Sequence, residues 1–219
     1  MSITKAWQLR ASADGGELAF VQGEQVLASL QLRHDIGLQE PRAWYHIGCV
    51  VHAARPLQLF QRRRTLQLGN DLTGASELAH IEWQRTLDEA TQFELLKHLL
   101  QEALQRAAPA GQPLIVGLPG LRDAQGQSPF WQGLGRHFYA GEVRADDPSW
   151  RSSVASLLPR QPVYACFLPE AAQAAIGAVD PDARVLVEAL VALGFAESGQ
   201  VDVVDGGAVY VRAGRGGAV

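Results

Sequence analysis

The segment Gln125–Tyr139, with the sequence QGQSPFWQGLGRHFY, is the most informative stretch of this chain. Ser128 suits the N-cap of a helix and Pro129 suits its first position, and large apolar residues recur behind them at helical spacing. The segment therefore predicts a turn that leads into a short amphipathic helix packed on a sheet. Gly133 and Gly135 are unfavourable inside a helix unless another segment must approach the backbone closely.

The composition of the chain indicates a globular protein. Its 219 residues, 47% of them hydrophobic, are enough for one domain, or one with a small appendage, around a proper core. A net charge of −4 argues against nucleic acid as a partner. The basic cluster Arg62–Arg64 is interpreted as a solvated turn, with an anion site as the alternative. Because no segment has the length of a membrane span or the apolar core of a signal peptide, we expect a cytoplasmic protein that does not bind membranes.

The two cysteines indicate neither a disulfide scaffold nor a metal site. Cys49 and Cys166 lie in apolar, strand-like contexts, where a free cysteine usually behaves as a small buried hydrophobe. No CxxC pair and no Cys/His spacing of the zinc-binding kind occurs. We therefore expect two buried thiols and no bound metal.

The first half of the chain predicts an antiparallel meander. Glu17–Gln22 and Gln25–Arg33 are apolar runs separated by Gly23-Glu24, which is typical of a β-hairpin. Further strands are predicted at Ala43–His52, Thr65–Leu68 and Ser76–Trp83.

The second half predicts helices around buried strands. A broad apolar stripe predicts a helix over Thr86–Ala108, with Thr86 and Glu89 at the spacing of a capping box. The uninterrupted apolar run Pro113–Leu118 is typical of a strand covered on both faces. A polar stretch up to Arg160 follows the signature segment. The remaining predictions are strands at Val163–Phe167, Val201–Val204 and Ala208–Val211, helices at Gly126–Tyr139, Pro169–Ala178 and Pro181–Leu193, and a frayed end at Gly214–Gly217.

The signature segment also carries a resemblance to a known family. The pattern over Gly126–Phe138 resembles the signature of the arginine/ornithine N-succinyltransferases. Three further stretches match that family in the expected order: Gly69–Leu78 (GNDLTGASEL), Pro162–Leu168 (PVYACFL) and Val201–Gly207 (VDVVDGG). The match runs from about Glu17 to Ala208, which is most of the chain.

This resemblance implies an acetyltransferase-like (GNAT) α/β fold, with a mixed, largely antiparallel sheet and helices on both faces. The usual N-terminal strand and helices of that fold have no counterpart before the first hairpin. The expected organisation is an N-terminal arm at 1–16, a single GNAT-like domain at 17–211 and a flexible tail at 212–219.

The resemblance further implies a site for an acyl-CoA, as a co-substrate and not as a permanently bound cofactor. Ile81 matches a family leucine that contacts succinyl-CoA, and Glu82, Trp83 and Arg85 continue the same strand and turn. The family holds the CoA pyrophosphate at a glycine-rich turn, whereas Gln84–Ala90 has no glycine and carries two carboxylates. An ordinary core role for Ile81 and a helix end built for stability are the alternatives.

The resemblance places Asp180 where the family has its proton-donating histidine. An unperturbed aspartate is ionised at neutral pH, so Asp180 can act as an acid only if burial raises its pKa; the alternative is an N-cap before Pro181. His80, beside the expected acyl site, and His137 are candidates to replace the lost imidazole.

The polar turn before the acyl strand keeps the family pattern. Five residues are predicted to line the substrate cleft, with a structural role in a capped turn as the alternative: Asn70, Asp71, Thr73, Ser76 and Glu77. By contrast, a family Glu and Arg are replaced within Gly117-Leu118-Pro119, which weakens the case for arginine as the acceptor.

Two principal functional hypotheses follow, and they leave enzyme status open. The first is a transferase that moves a succinyl group from succinyl-CoA to the amine of arginine, ornithine or a related amino acid, as in arginine catabolism. The second is a catalytically degenerate homologue, a pseudoenzyme that binds a metabolite or partners another chain. Expected partners are the amino acid, the acyl-CoA, and a second copy or a family paralogue. A paralogue with unrelated chemistry is a third hypothesis, for which no motif was found.

Overall fold

The computed structural model describes residues 7–107 and 112–214. The described part contains ten strands: β1 (Gln8–Ala11), β2 (Glu17–Gln22), β3 (Gln25–Arg33), β4 (Trp44–Ala54), β5 (Leu59–Gly69), β6 (Ser76–Trp83), β7 (Leu114–Gly117), β8 (Val163–Tyr164), β9 (Ala196–Asp202) and β10 (Ala208–Arg212). It contains five α-helices: α1 (Glu89–Arg106), α2 (Pro129–Gly133), α3 (Pro148–Leu157), α4 (Glu170–Ala175) and α5 (Arg184–Ala192). Short 3-10 turns lie between several of them.

All ten strands form one sheet in the order β1-β2-β3-β6-β7-β10-β9-β4-β5-β8. Every pairing between described strands is antiparallel except that of β6 with β7. The predicted meander is therefore wrong beyond β3, because β4 and β5 cross to the other half of the sheet and β4 pairs with β9. Local alternation specifies a strand and its hairpin partner but does not specify a distant neighbour.

The hairpin of β2 and β3 and the strand β6 have the predicted bounds. Strand β5 is longer than predicted, since it pairs with β4 along its whole length from Leu59 to Gly69. Its outer half contains Arg62–Arg64, so this basic cluster lies in an exposed strand and not in a turn. Strand β1 lies within the predicted N-terminal arm and pairs with β2.

The helices cover two adjacent parts of the sheet. Helices α1 and α5 pack on one apolar cluster, which includes Ala208 of β10. Helices α2 and α4 pack on a second cluster, which includes Val201 of β9. Val201 and Ala208 are cross-strand partners, so these two clusters adjoin across the β9–β10 pair. The sheet is mixed and largely antiparallel with helices packed on it, as the resemblance implied. The opposite face carries a smaller cluster with Trp44 and Ile115, covered by loop residues such as Ile36.

Helix α1 begins later than predicted, and its cap differs. Asp88 is the N-cap, because its carboxylate accepts hydrogen bonds from the backbone N–H and the hydroxyl of Thr91, at 3.0 and 2.7 Å. The capping box of Thr86 with Glu89 is therefore wrong. Asp88 lies two residues after Thr86, and its short side chain reaches the N–H group of Thr91 from there. The predicted end at Ala108 lies outside the described residues.

The signature segment forms α2 and a following 3-10 turn at Gly135–His137, which is shorter than the predicted helix. Ser128 caps α2 as predicted, accepting the N–H of Trp131 at 3.0 Å. The two glycines are explained by close packing. A Cβ at Gly133 would overlap the Cβ of Ala172 in α4, and a Cβ at Gly135 would overlap the Trp131 ring.

Several other predicted elements differ in extent. Helix α3 lies in the stretch interpreted only as polar, where Asp147 at the N-cap and Pro148 were the available signal. Strand β8 has two residues and leads into a 3-10 turn at Ala165–Phe167. The strand predicted at Val201–Val204 ends at Asp202, because the chain turns there towards β10. The frayed end falls largely outside the described residues.

Both cysteines are exposed, which contradicts the expected burial. Cys49 lies in the middle of β4, where the exposed part of that strand begins, and Cys166 lies in the 3-10 turn after β8, next to the exposed Phe167. An apolar local sequence therefore did not imply that the cysteine side chain is buried. None of the helices in residues 7–107 and 112–214 is both long and apolar enough to cross a membrane.

Candidate active site

A cleft opens where β6 and β7 separate. The two strands pair only at their first residues, Ser76 with Leu114 and Glu77 with Ile115. Beyond Glu77 they diverge and leave a cavity of about 950 Å³. Its wall is formed by residues 77–81 of β6, 117–119 at the end of β7, the loop 33–42, and side chains from α3, α5 and the β9–β10 turn.

His80 stands at a β-bulge on the cleft wall. Its φ of 47° lies in the left-handed region, which non-glycine residues rarely adopt. The register between β3 and β6 shifts at this point, between the pair Ser29–Glu82 and the pair Gln31–Ala79. A bulge re-aims side chains and interrupts the hydrogen-bond ladder. His80 and the next residue, Ile81, both line the cleft, and Ile81 also packs against the core under α1.

The other predicted acyl-CoA residues lie beyond this cleft, towards the start of α1. Trp83 is buried and donates its indole N–H to Gln92 Oε1 at 2.8 Å. The guanidinium of Arg85 stacks on that indole, with Cζ 3.5 Å from the ring centroid, and donates to the Asp182 carbonyl. Glu82 is exposed and stands opposite Ser29 of β3. Trp83 and Arg85 therefore form a stacked pair that supports the start of α1.

The start of α1 is closed by side chains. Gln92 donates to the carbonyls of Arg85 and Leu87, at 3.2 and 2.6 Å. Glu89 forms an ion pair with Arg184 of α5 at 2.5 Å. The Asp88 cap occupies the Thr91 N–H, and the carboxylates of Asp88 and Glu89 place negative charge at the helix end where a phosphate would bind.

The predicted substrate residues separate into two groups. Glu77 lines the cleft, is 4% exposed, and pairs with Arg42 at 2.7 Å. Ser76 does not line it, and its hydroxyl is 3.0 Å from Nδ1 of His34.

The remaining three predicted substrate residues, Asn70, Asp71 and Thr73, form the turn between β5 and β6, outside the cleft wall. The Asn70 carbonyl accepts the Thr73 N–H at 2.9 Å, and Thr73 packs against Gly37. This turn therefore supports the loop 33–42 that forms one wall of the cleft.

Asp180 lies beside the cleft and not in its wall. Its backbone N–H donates to the Pro119 carbonyl at 2.8 Å, which fixes it next to the end of β7. Its carboxylate accepts the N–H of Asp182 at 2.9 Å and caps the 3-10 turn Pro181–Ala183. His137, the other histidine candidate, is exposed and outside the cleft. Of the histidine and aspartate candidates, the structure brings only His80 into the cavity.

The cleft also contains charged residues that sequence analysis missed. Arg151 of α3 donates to Asp202 at the end of β9, with Nη1 2.8 Å from Oδ2. The charge of Arg151 holds the pKa of Asp202 below its usual value in spite of burial, and Arg42 adds to this effect. A further carboxylate of the cleft, Asp205, belongs to the turn that follows. Burial, and secondarily the charge of Asp202, raise the pKa of Asp205.

Asp205 is held by backbone groups and not by an adjacent cation. Its two oxygens accept the N–H groups of Gly120 and Gly207, at 3.0 and 2.9 Å. Only the family-like segment Val201–Gly207 hinted at this position in the sequence, and nothing singled out Arg42 or Arg151. Within the described ranges, no cluster of His, Cys, Asp and Glu could hold a metal ion.

Comparisons with known proteins agree on one family. The family described as arginine N-succinyltransferase beta subunit matches residues 18–214. Arginine N-succinyltransferase subunit beta of Pseudomonas aeruginosa is 35% identical over 177 residues, covering 78% of this chain and 52% of the relative. Arginine N-succinyltransferase of Salmonella arizonae is 33% identical over 180 residues, with the same coverage. The chain thus spans about half the length of these relatives.

A solved structure is similar over most of the chain. Arginine/ornithine succinyltransferase subunit AI from Pseudomonas aeruginosa superposes with a TM-score of 0.68 at 27% identity. The superposition covers 90% of this chain and 59% of the solved one.

Proposed function

The chain belongs to the arginine N-succinyltransferase family and has its GNAT-like fold, and from this premise we propose that it transfers a succinyl group from succinyl-CoA, or another acyl-CoA, to the amine of arginine or a related amino acid. The observation that carries the proposal is the divergence of β6 from β7, which opens the cleft of about 950 Å³. A cavity of this size is typical of small-molecule sites.

The diverging edge of β6 suits the pantetheine arm of the donor. A strand that loses its neighbour presents backbone N–H and C=O groups, and an extended ligand with amide groups can pair with them. Ile81 supplies apolar surface at this edge, and the His80 bulge turns the backbone beside it. The thioester would therefore lie near His80.

The reaction requires two proton movements. The amine nitrogen forms a bond to the thioester carbonyl carbon, the carbon–sulfur bond breaks, the amine loses a proton and the CoA thiolate gains one. His80 lines the cleft and is suited to exchanging these protons, since an imidazole can both accept and donate a proton. Asp180 stays a candidate for protonating the thiolate, because it adjoins the end of β7 through Pro119.

One observation favours a second candidate function, that of a non-catalytic subunit. The start of α1 is capped by Asp88, and Glu89 adds a further carboxylate. A pyrophosphate placed there would meet like charges and few free N–H groups. Arg85 and Arg184 are the nearby cations, and each is already bonded within the protein. Such a subunit would bind a metabolite or complete the site of a paralogue.

The exposed β4–β5 ribbon supports association with another chain. Its outer half carries apolar side chains that are exposed to solvent. Phe60 is 67% exposed, and Leu57, in the turn between the two strands, is 76% exposed. Phe167 adds an 82% exposed ring nearby, beside Tyr164. We expect a homodimer or a complex with a family paralogue, which light scattering after size-exclusion chromatography would measure.

Calorimetry and a transfer assay test the proposal together. Micromolar binding of succinyl-CoA with formation of succinylarginine supports the transferase. Failure to bind the donor at millimolar concentration rejects the transferase and supports the non-catalytic subunit, because the start of α1 disfavours a pyrophosphate. Binding without product rejects succinyl transfer to arginine. In an active protein, His80→Ala is expected to lower kcat by about 100-fold or more, the usual contribution of a general acid or base.

The matched control is His137→Ala, which removes an exposed imidazole outside the cleft. It should leave kcat unchanged. Equal kcat in the two variants would remove His80 from the mechanism. Asp180→Asn, compared in the same assay, tests whether that carboxyl contributes a proton.

A further inference from the structure

The charged groups of the cleft do not balance. Arg42 and Arg151 are each bonded to one carboxylate, of Glu77 and Asp202, at 2.7 and 2.8 Å. Of the other carboxylates that line the cavity, those of Asp35, Glu40 and Asp146 are exposed, whereas the Asp205 side chain is only 14% exposed. Within the described part of the chain no cation comes into hydrogen-bonding distance of it.

The nearest cation to Asp205 is that of Arg122. Its Nη2 lies 3.9 Å from Oδ2 of Asp205, and its side chain is 44% exposed. An exposed arginine at this separation is largely hydrated and adds little to the affinity for a carboxylate. The buried carboxylate therefore lacks a close partner of opposite charge.

The position of Asp205 is fixed in advance of any ligand. The β9–β10 turn presses against the end of β7 so tightly that a Cβ at Gly120 would overlap the Asp205 carbonyl oxygen. A Cβ at Gly207 would likewise overlap the Leu118 carbonyl oxygen. Each Asp205 oxygen accepts one backbone N–H from these glycines and keeps lone pairs for another donor.

We propose that Asp205 binds the cationic nitrogen of the acceptor, an ammonium or a guanidinium, inside the cleft. The inference rests on the proposed function, which makes an amine the second substrate. An ammonium or guanidinium in the cavity supplies the charge that Asp205 lacks, and the pairing is strong because both partners leave water. Glu77 and Asp202 do not compete for it, since each already has its arginine.

Calorimetric titration of the purified chain with arginine tests this assignment, with and without CoA. Asp205→Asn removes the charge and is expected to weaken arginine binding by about tenfold or more, the usual effect of losing a hydrogen bond to a charged group. Glu142→Gln is the control, because Glu142 is an exposed carboxylate outside the cleft wall. It should change the affinity by less than about twofold.

Two analogues identify which cation is bound. Citrulline lacks the guanidinium charge but keeps the α-ammonium, whereas Nα-acetylarginine keeps only the guanidinium. If Asp205→Asn weakens citrulline binding, Asp205 contacts the α-ammonium. If it weakens Nα-acetylarginine binding, Asp205 contacts the guanidinium. Arginine affinity that is equal in wild type and Asp205→Asn overturns the proposal, as does failure of arginine, ornithine and Nα-acetylarginine to bind the wild type at millimolar concentration.

A second measurement avoids the variant altogether. The amide N–H groups of Gly120 and Gly207 bond directly to Asp205, so their NMR resonances should shift when arginine is added to the wild-type protein. Unmoved resonances at saturating arginine overturn the assignment, even if Asp205→Asn does not fold. Titration with succinyl-CoA alone reports on the donor site, so its failure would reject the proposed function without deciding the cation site.

Discussion

The Asp205 carboxylate accepts the backbone N–H of Gly120 at 3.0 Å, although the two residues are 85 positions apart in the chain. This bond joins the β9–β10 turn to the exit of β7, the strand that forms one side of the cleft. The geometry of the cavity therefore depends on a backbone contact that only glycine permits.

Gly120→Ala is expected to lower the free energy of unfolding by about 1–3 kcal/mol, the usual effect of overpacking. The added methyl group would overlap the Asp205 carbonyl oxygen, which belongs to the backbone and cannot rotate away. Urea denaturation measures the change. Gly117→Ala is the control, because a Cβ at Gly117 meets nothing within 4 Å. Equal midpoints for the two variants would contradict the contact.

Gln92→Leu is expected to destabilise the fold by about 2–4 kcal/mol, since it leaves buried polar groups without partners. The Gln92 amide satisfies the Trp83 indole N–H and the carbonyls of Arg85 and Leu87. Thermal and urea denaturation would show the loss. Gln105→Leu, at an exposed position of α1, should have little effect. If both variants are equally stable, the Gln92 bonds do not contribute.

Tyr45→Phe is expected to leave the free energy of unfolding unchanged or to raise it by up to about 1 kcal/mol. The Tyr45 hydroxyl is buried, finds no hydrogen-bond partner among the described residues, and has its pKa raised by that burial. Removing it eliminates an unsatisfied group and keeps the packing against Phe130. Tyr210→Phe serves as the comparison, since Tyr210 donates to Glu197 at 3.4 Å. A clear loss of stability in Tyr45→Phe would mean that its hydroxyl is bonded.

The stability of Asp205→Asn relative to wild type should improve as pH rises above the unfolded pKa of 3.8. The pKa of Asp205 is raised in the folded state, so its protonated form stabilises the fold. This stabilisation is fully present below the unfolded-state pKa of 3.8 and is lost as pH rises through the folded-state pKa. Asparagine does not titrate and escapes that loss. Asp202, the neighbouring carboxylate, behaves oppositely, because its pKa is lowered and its contribution is lost on acidification.

Urea denaturation at several pH values measures this difference. The groups that act on Asp205 include Asp202, Arg122, Arg151 and the N–H groups of Gly120 and Gly207, and all of them remain in the variant. Asp146→Asn provides the control, at an exposed carboxylate. A difference between Asp205→Asn and wild type that stays constant with pH would contradict the raised pKa.

The sequence alone determined the elements whose hydrogen bonds are local. Alternation and turn residues within a few positions give the bounds of the β2–β3 hairpin and of β6. Helical periodicity gives the body of α1. The family motifs further implied the GNAT-like fold, and the comparisons confirm it. The same motifs placed Ile81 at the cleft, and His80 followed from its position beside it.

The tertiary structure decided which strands become neighbours and which charges meet. The choice of β9 as the partner of β4 depends on closing long loops and on covering apolar faces collectively, which no short window of sequence encodes. The same packing brings Arg42, Arg151 and Asp205 from distant segments to one cavity. Their individual neighbourhoods in sequence resemble ordinary solvated loops and helix ends, so only the folded chain reveals that Asp205 lines the cavity with no arginine of the described residues at hydrogen-bonding distance.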